Sequence, residues 1–362
     1  MRFHSREVQN SRVRFDVVII GSGPGGCALA VQLRQANVST AIIAALRPVP
    51  HDFPETLPPG ITEKETWPSD STSLRPHYAM ASAWGESKLT VRHAICNPLG
   101  HGWFLDRTVF DREMLADATA GGVVPIFRSR LRAAERTNHG WSLQLDGRTE
   151  AIEAGFVADA SGRSSVFARM IGVRRIALDR LVCLTAKGMP QDFPAGEALV
   201  ESAETGWWFS ALDSGGNLSI SFFTTPARVS FADELRATLH TSKRVAHLLP
   251  CRAVARAART DWLETPAGPG WLAVGDAAFA SDPLGSQGLL RALDTAEKAA
   301  ATIVSLAANM DRGTSSYCEV QIADRSRFLR DRQSFYEAER RWPDAPFWRP
   351  AHVAKGDILC PR

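Results

Sequence analysis

The chain has 362 residues, enough for about two packed units with cores of their own. A composition of 44% apolar and 22% charged residues with a formal net charge of +3 fits an ordinary globular protein, and no block of basic residues points to nucleic acid or an anionic membrane. No apolar stretch reaches the roughly 18 residues of a membrane span, and the first apolar run (residues 17–20) is too short for a secretion signal, so a cytoplasmic protein is expected.

Residues 16–20 (DVVII) read as a buried strand, residues 27–36 as a helix with an Ala/Leu face, and residues 38–44 as a second short strand. Between the first strand and the helix, Gly21, Ser22, Gly23 and Gly26 lie in the pattern G-x-G-x-x-G. The strand–loop–helix–strand setting gives this pattern its meaning. The first glycine permits a tight turn, the second lets the backbone approach a pyrophosphate, and the third lets the helix pack close to the strand with its first amides facing the anion. Ala44-Ala45 replaces the acidic residue that would bind a ribose, which leaves Arg47 as the candidate for the adenosine end. The loop alone does not separate NAD from FAD.

Residues 47–77 are dense in Pro, Ser and Thr and read as a long ordered loop, of a length that is usually functional. An amphipathic helix follows, with Val109, Phe110, Met114, Leu115 and Ala118 at helical spacing. Residues 141–147 and 151–162 read as strands, 181–225 as β-rich, and 231–249 as one amphipathic helix. Residues 268–304 read as a strand, a Gly-Asp turn, a loop and a long Ala/Leu helix; a charged helical tail runs from Ser315 to Trp342. The six cysteines form no CxxC pair and the nine histidines no cluster, so neither a metal site nor a disulfide framework is expected.

The late segment favours a flavin. Asp276, behind Gly275 and just after a buried strand, is placed to accept hydrogen bonds from ribityl hydroxyls. Pro283, Leu284, Ser286, Gln287 and Gly288 lead into a helix whose N-terminus would stabilise negative charge beside the flavin pyrimidine. Two such turns about 250 residues apart are what a split FAD site needs.

This pair of turns resembles the single-FAD monooxygenases with the p-hydroxybenzoate hydroxylase fold. GWFLDRTVFDREML is similar to that group's arginine-bearing turn and helix, which implies an FAD contact for Arg107. FVADASGRSS is similar to its Asp/Gly motif and brings in Asp159, Gly162 and Arg163. FPETLPPG resembles the G-E-[ST]-x-P stretch of the tryptophan-halogenase-like branch at Glu55, Thr56 and Pro58, with Pro54 in place of the glycine. The W-x-W-x-I-P motif of tryptophan halogenases is not kept at Trp207-Trp208-Phe209, and Lys64 and Lys88 lack the flanks of the halogenase lysine. The shorter chain and its GWW stretch look more like flavoproteins that modify a tryptophan of a partner protein during tryptophylquinone maturation.

The resemblance implies an α/β fold: a Rossmann-like FAD-binding domain, an inserted, mostly antiparallel β-sheet substrate domain and a helical C-terminal tail. The expected boundaries are 1–75, 100–180 and 262–310 for the FAD domain, 76–99 and 181–261 for the substrate domain, and 311–362 for the tail. The implied activity is FAD-dependent hydroxylation of an aromatic small molecule or of a tryptophan presented by a partner protein. NAD(P)H or free reduced flavin would be the external electron donor. The alternatives are a halogenase, a flavin-dependent reductase of alkene bonds, and a maturation partner that holds FAD without turnover. Trp84, Trp207 and Trp208 are candidates to wall the substrate pocket, but strand alternation sends only one of Trp207 and Trp208 to the flavin side. His77, His101 and Glu201 are the available bases, and each reads as structural. In the resembled group reduced flavin activates oxygen itself, so an electron-rich ring needs mainly placement.

Overall fold

The structure is a computed structural model that describes residues 13–44, 55–68, 71–213, 215–226, 229–249, 252–307 and 313–350. The chain opens with strand β1 (Arg14–Ile20), helix α1 (Pro24–Gln35) and strand β2 (Thr40–Ile43), β1 and β2 being parallel. The Pro-rich region is less irregular than its composition predicts: β3 (Glu55–Leu57) and β4 (Leu74–His77) flank β7 (Gly102–Leu105) in a small antiparallel sheet. Between β4 and β7 lie β5 (Ala79–Ala83) and β6 (Thr90–His93), which belong to another sheet. Helix α2 (Arg107–Ala120) follows β7, capped by the Asp106 carboxylate, which accepts from the amides of Thr108 and Val109 at 2.9 and 3.1 Å.

Strands β8 (Val124–Ile126), β9 (Leu131–Thr137), β10 (Gly140–Leu145) and β11 (Ile152–Asp159) complete most of the first large sheet. After α3 (Val166–Met170) come β12 (Arg175–Ala177), β13 (Val182–Gly188), β14 (Glu197–Ala203), β15 (Gly206–Leu212) and β16 (Leu218–Thr224). Residues 231–249 form two short helices, α4 (Phe231–Arg236) and α5 (Thr241–Val245), and not the single helix their periodicity predicts. The break has a distant cause: the buried Glu201 carboxylate accepts from the amides of Leu239, His240 and Thr241, the last at 2.6 Å. Short strands β17 (Val254–Ala257), β18 (Asp261–Leu263), β19 (Ala267–Gly268), β20 (Trp271–Ala273) and β21 (Phe279–Ala280) precede α6 (Gly288–Ala307) and α7 (Gly313–Ala338).

The first large sheet runs β19-β20-β11-β1-β2-β8, parallel from β20 to β8, and β9 and β10 add to β11. Residues 17–20 are continuously apolar because this sheet is covered on both faces. Val17 and Ile19 pack with α1, α2 and α6, whereas Val18 and Ile20 pack with Trp141 and Phe167. The second large sheet has the order β17-β13-β16-β15-β14-β5-β6 and is antiparallel except where β14 meets β5. Its two faces bury different clusters: Trp207, Phe209 and Phe223 face Tyr336 of α7 and Trp348, while Trp208, Ile220 and Phe222 face Leu235 of α4 and Val245 of α5. Among the described residues no helix is long and apolar enough to cross a membrane, and no three His, Cys, Asp or Glu side chains converge as a metal site would require.

Candidate functional site

The β1–α1 turn is fixed by close approach. A Cβ at Gly21 would lie 2.4 Å from the Ala160 carbonyl oxygen and one at Gly26 would lie 2.1 Å from that of Gly21, so neither position has room for a side chain. Gly23 is the opposite case: a Cβ there meets nothing within 4 Å. Gly23 is the N-cap of α1 and offers no side-chain acceptor, so the helix presents its first amides to open space, as an anion site requires.

The second turn arrives at the same place through Ala292 of α6. A Cβ on Gly25 would stand 3.3 Å from the Ala292 carbonyl oxygen, and a Cβ on Gly275 3.3 Å from the Ala292 side chain. Two turns that lie far apart in the sequence therefore close on one residue. The loop ahead of α6 is joined to the small sheet as well: Thr56 Oγ1 and Ser286 Oγ lie 2.9 Å apart. Gln287 and Gly288 are exposed at the N-terminus of α6, which has no acidic residue in its first turn. Asp276 is half-exposed, with the Arg163 guanidinium 3.6 Å away.

Three expected cofactor contacts are engaged with protein groups. Arg107 donates from Nη1 to Glu55 Oε1 at 2.6 Å and from Nε to Asp111 at 3.0 Å. Burial opposes its charge, but the carboxylates of Glu55 and Asp111 outweigh burial and hold its pKa above the ordinary value. Asp159 is wholly buried and turned inward: its carboxylate accepts from the Ser161 amide and hydroxyl and from the Ala168 amide, closing the link from β11 to α3. Burial pushes its carboxyl up. The resemblance of FVADASGRSS to an Asp/Gly motif implied a cofactor contact for Asp159; in the structure its carboxylate is bonded within the β11–α3 turn. Arg47 lies outside the described residues.

The three candidate pocket tryptophans do not come together. Trp84 and Trp207 meet edge to face at 6.3 Å, and Trp84 also packs on Trp348 at 5.4 Å. Trp208 lies on the opposite face of the sheet, stacked on Phe222 at 4.4 Å. Trp207, stacked on Phe223 at 3.8 Å, shares its cluster with Phe104 and with Leu284 of the loop before α6. An open cavity of about 350 Å³ borders this cluster, lined by Arg75, Tyr78, Phe104, Gly196, Leu212 and Asp213; the tryptophans do not line it. Phe104 pairs across the small sheet with Thr56, which places the cavity close to the Thr56–Ser286 contact.

The sequence reading missed a buried network beneath that loop. Trp207 Nε1 donates to the Tyr336 hydroxyl at 3.1 Å, which donates to Asp282 Oδ2 at 2.7 Å. The same oxygen accepts from Arg332 Nε at 2.8 Å, and Arg332 reaches Asp179 at 3.0 Å. Asp282 Oδ1 caps the Pro283–Gly285 turn through the Leu284 amide at 2.9 Å. Burial, then the Asp282 carboxylate, pushes the Tyr336 phenol well up, so it stays a neutral donor. Arg332 and Tyr336 stand four apart on α7, a spacing visible in the sequence; their partner Asp282 is not. Of the candidate bases, Glu201 is spent as the α5 cap, and His101 Nδ1 sits 2.9 Å from the Gly102 carbonyl oxygen. Burial lowers the pKa of His77 from its ordinary value, and its Nε2 is buried without a hydrogen-bond partner among the described residues. Lys64 is tied to Asp294 of α6 at 2.6 Å.

The overall fold is shared with known proteins. The solved structure of the peptidyl tryptophan dihydroxylase QhpG, essential for tryptophylquinone cofactor biogenesis, superposes with a TM-score of 0.73 over 94% of this chain and 79% of its own, at 22% identity. The myxobacterial chondrochloren halogenase CndH superposes with a TM-score of 0.80 over 95% of this chain and 87% of its own, at 19% identity. The fold is that of the flavin-dependent monooxygenases and halogenases. In sequence, this flavoprotein fold links the chain to the Marinomonas mediterranea protein described as "Putative FAD-dependent oxidoreductase LodB", 24% identical over 94% of this chain and 97% of that one. No protein-family model matches the chain.

Proposed function

We propose that the protein is an FAD-dependent monooxygenase that hydroxylates an aromatic ring, the ring being a tryptophan held in a polypeptide. The observation that carries this reading is the convergence of the Gly21–Gly26 and Gly275 turns on Ala292. It gives one extended dinucleotide an anion-binding helix start at one end and the Pro283–Gly288 loop at the other. The similarity to LodB and to a peptidyl tryptophan dihydroxylase supports the cofactor and the substrate class.

The bare N-terminus of α1 fits the pyrophosphate and Asp276 fits ribityl hydroxyls. Bound FAD supplies two-electron reduction and the activation of oxygen. Overall, an aromatic C–H, O2, two electrons and two protons become an aromatic C–OH and water. The protein's part is placement: Thr56 and Ser286 hold the small sheet to the flavin loop, and the cavity beside Phe104 keeps the ring at that junction. Water exclusion falls to the aromatic layer around Trp207. Lys64 is paired with Asp294 of α6, which takes one of the two candidate lysines out of halide chemistry, and the proposed reaction needs no halide.

The test is a halide-free reaction of reduced protein with ¹⁸O2 and a tryptophan-containing peptide, read by mass spectrometry. Incorporation of labelled oxygen is the expected result; product only when chloride or bromide is present would make the protein a halogenase. Two variants test the cofactor site. Purified protein is expected to be yellow with one FAD per chain. Asp276→Ala leaves ribityl donors unpaired at about 1–3 kcal/mol, roughly a ten- to hundredfold weaker FAD affinity. Unchanged affinity by fluorescence titration would remove Asp276 from the site. Gly23→Val folds, because its side chain enters open space, yet blocks the ground above the first α1 amides. Folded apoprotein by circular dichroism is expected, and full FAD content in this variant would place the nucleotide elsewhere.

A further inference from the structure

The outer edge of the seven-stranded sheet has three features that the catalytic reading does not use. Strand β6 ends the sheet; among the described residues it pairs with β5 alone, and all four of its residues are exposed. The turn after it, AICNPLG at residues 94–100, has no charged side chain and leaves Ile95 93% and Leu99 73% exposed. Protein surfaces normally blunt an unpaired edge with charge or cover it, and large exposed apolar groups mark contact sites. The third feature is charge. From residue 74 to residue 105 the chain has a single acid, Glu86, against Arg75, Lys88 and Arg92 and three histidines.

The edge is continuous with the cavity. Tyr78 lines the cavity and is itself half-exposed. Its carbonyl accepts from the Ala94 amide at 2.7 Å, and its ring meets His101 at 5.3 Å, so it joins both ends of the apolar turn to the cavity wall. Arg75 stands on the cavity rim, exposed, and forms no ion pair among the described residues. From there Phe104 leads across the small sheet to Thr56 and the loop before α6.

We propose that this edge docks the partner polypeptide: an extended, acidic segment pairs with β6, packs on Ile95 and Leu99, and delivers one aromatic side chain into the cavity. The inference rests on the reading that the substrate ring is carried by a polypeptide. Backbone pairing at an open edge gives affinity without a sequence code, the basic flank selects an acidic segment, and the apolar turn fixes how far the segment slides. A cavity of about 350 Å³ sits at the lower end of the usual range of about 300–1,000 Å³ for small-ligand pockets, which suits a single ring system.

The experiment titrates three tryptophan peptides of equal length into the FAD-loaded protein by calorimetry. The flanking residues are Asp/Glu in one, Ser/Gly in the second and Lys in the third. The acidic peptide is expected to bind at least tenfold tighter than the lysine peptide and to weaken as salt is raised. The double variant Ile95→Asp/Leu99→Asp and the single variant Arg92→Glu are each expected to weaken it at least tenfold, with FAD content and oxygen uptake by the reduced protein at wild-type values. If the acidic peptide binds no tighter than the lysine peptide, or if both variants bind it like wild type, the docking surface is wrong. The underlying reading fails separately: oxygenation of N-acetyltryptophanamide but of no peptide would show that the substrate is a free small molecule.

Discussion

Replacing Asp282 with alanine is expected to cost about 3–5 kcal/mol of folding free energy, because it removes one partner of a buried ion pair and leaves the other in place. Asp282 is 1% exposed and serves three donors: Arg332, Tyr336 and the Leu284 amide. Without it the Arg332 guanidinium retains Asp179, but the Tyr336 hydroxyl has no acceptor in the network. Asp282→Asn keeps the shape and one acceptor oxygen and is expected to lose less. Urea denaturation of both variants gives the comparison. Equal losses would show that the charge is immaterial, and a loss under about 1 kcal/mol for alanine would show that the network is relaxed and hydrated. Because Asp282 also caps the turn ahead of α6, which the proposed function places beside the flavin, the alanine variant is expected to bind FAD more weakly than its residual folding explains.

Trp207→Ala and Trp208→Ala are expected to destabilise alike and to differ in chemistry. Each removes a fully buried indole stacked on a phenylalanine, at about 3–5 kcal/mol. Only Trp207 lies on the face that meets Leu284 and Tyr336. Its loss opens that layer to water, so the variant should consume oxygen and reductant while releasing hydrogen peroxide in place of product. Trp208→Ala should stay coupled below its unfolding temperature. The measurement is product and peroxide per oxygen consumed, on folded, FAD-loaded protein. Tight coupling in both variants would remove Trp207 from the reaction layer, and uncoupling in both would reduce the effect to general loosening.

What could be read in the sequence was local. The β1–α1 turn was legible because its strand, glycines and helix are contiguous and each glycine answers to a neighbour's backbone. The Gly275 turn was legible for the same reason. Residues set by distant partners were not. The break between α4 and α5 is made by Glu201, and nothing within residues 231–249 announces that their amides have an acceptor on β14. Arg107 and Glu55 each matched a cofactor-binding pattern, yet in the structure they bind each other across β3 and α2. Alternation correctly divided Trp207 from Trp208, but not which neighbours each face would meet. The Asp282 network draws on four separate segments and carries no motif.

The strand order also constrains how the chain is made. β5 stays without its parallel neighbour until β14 is synthesised, and β11, already beside β1 and β10, lacks its remaining partner until β20. The seven-stranded sheet is incomplete until β17 (Val254–Ala257) is made and the first large sheet until β20 (Trp271–Ala273), and ribosomes add only about 5–20 residues per second. Pairings this far apart in sequence delay folding through loop-closure entropy and leave β-edges bare meanwhile. The two large sheets are therefore interleaved along the chain: a fragment cut to hold the seven-stranded sheet alone would have to bring residues 79–93 with it.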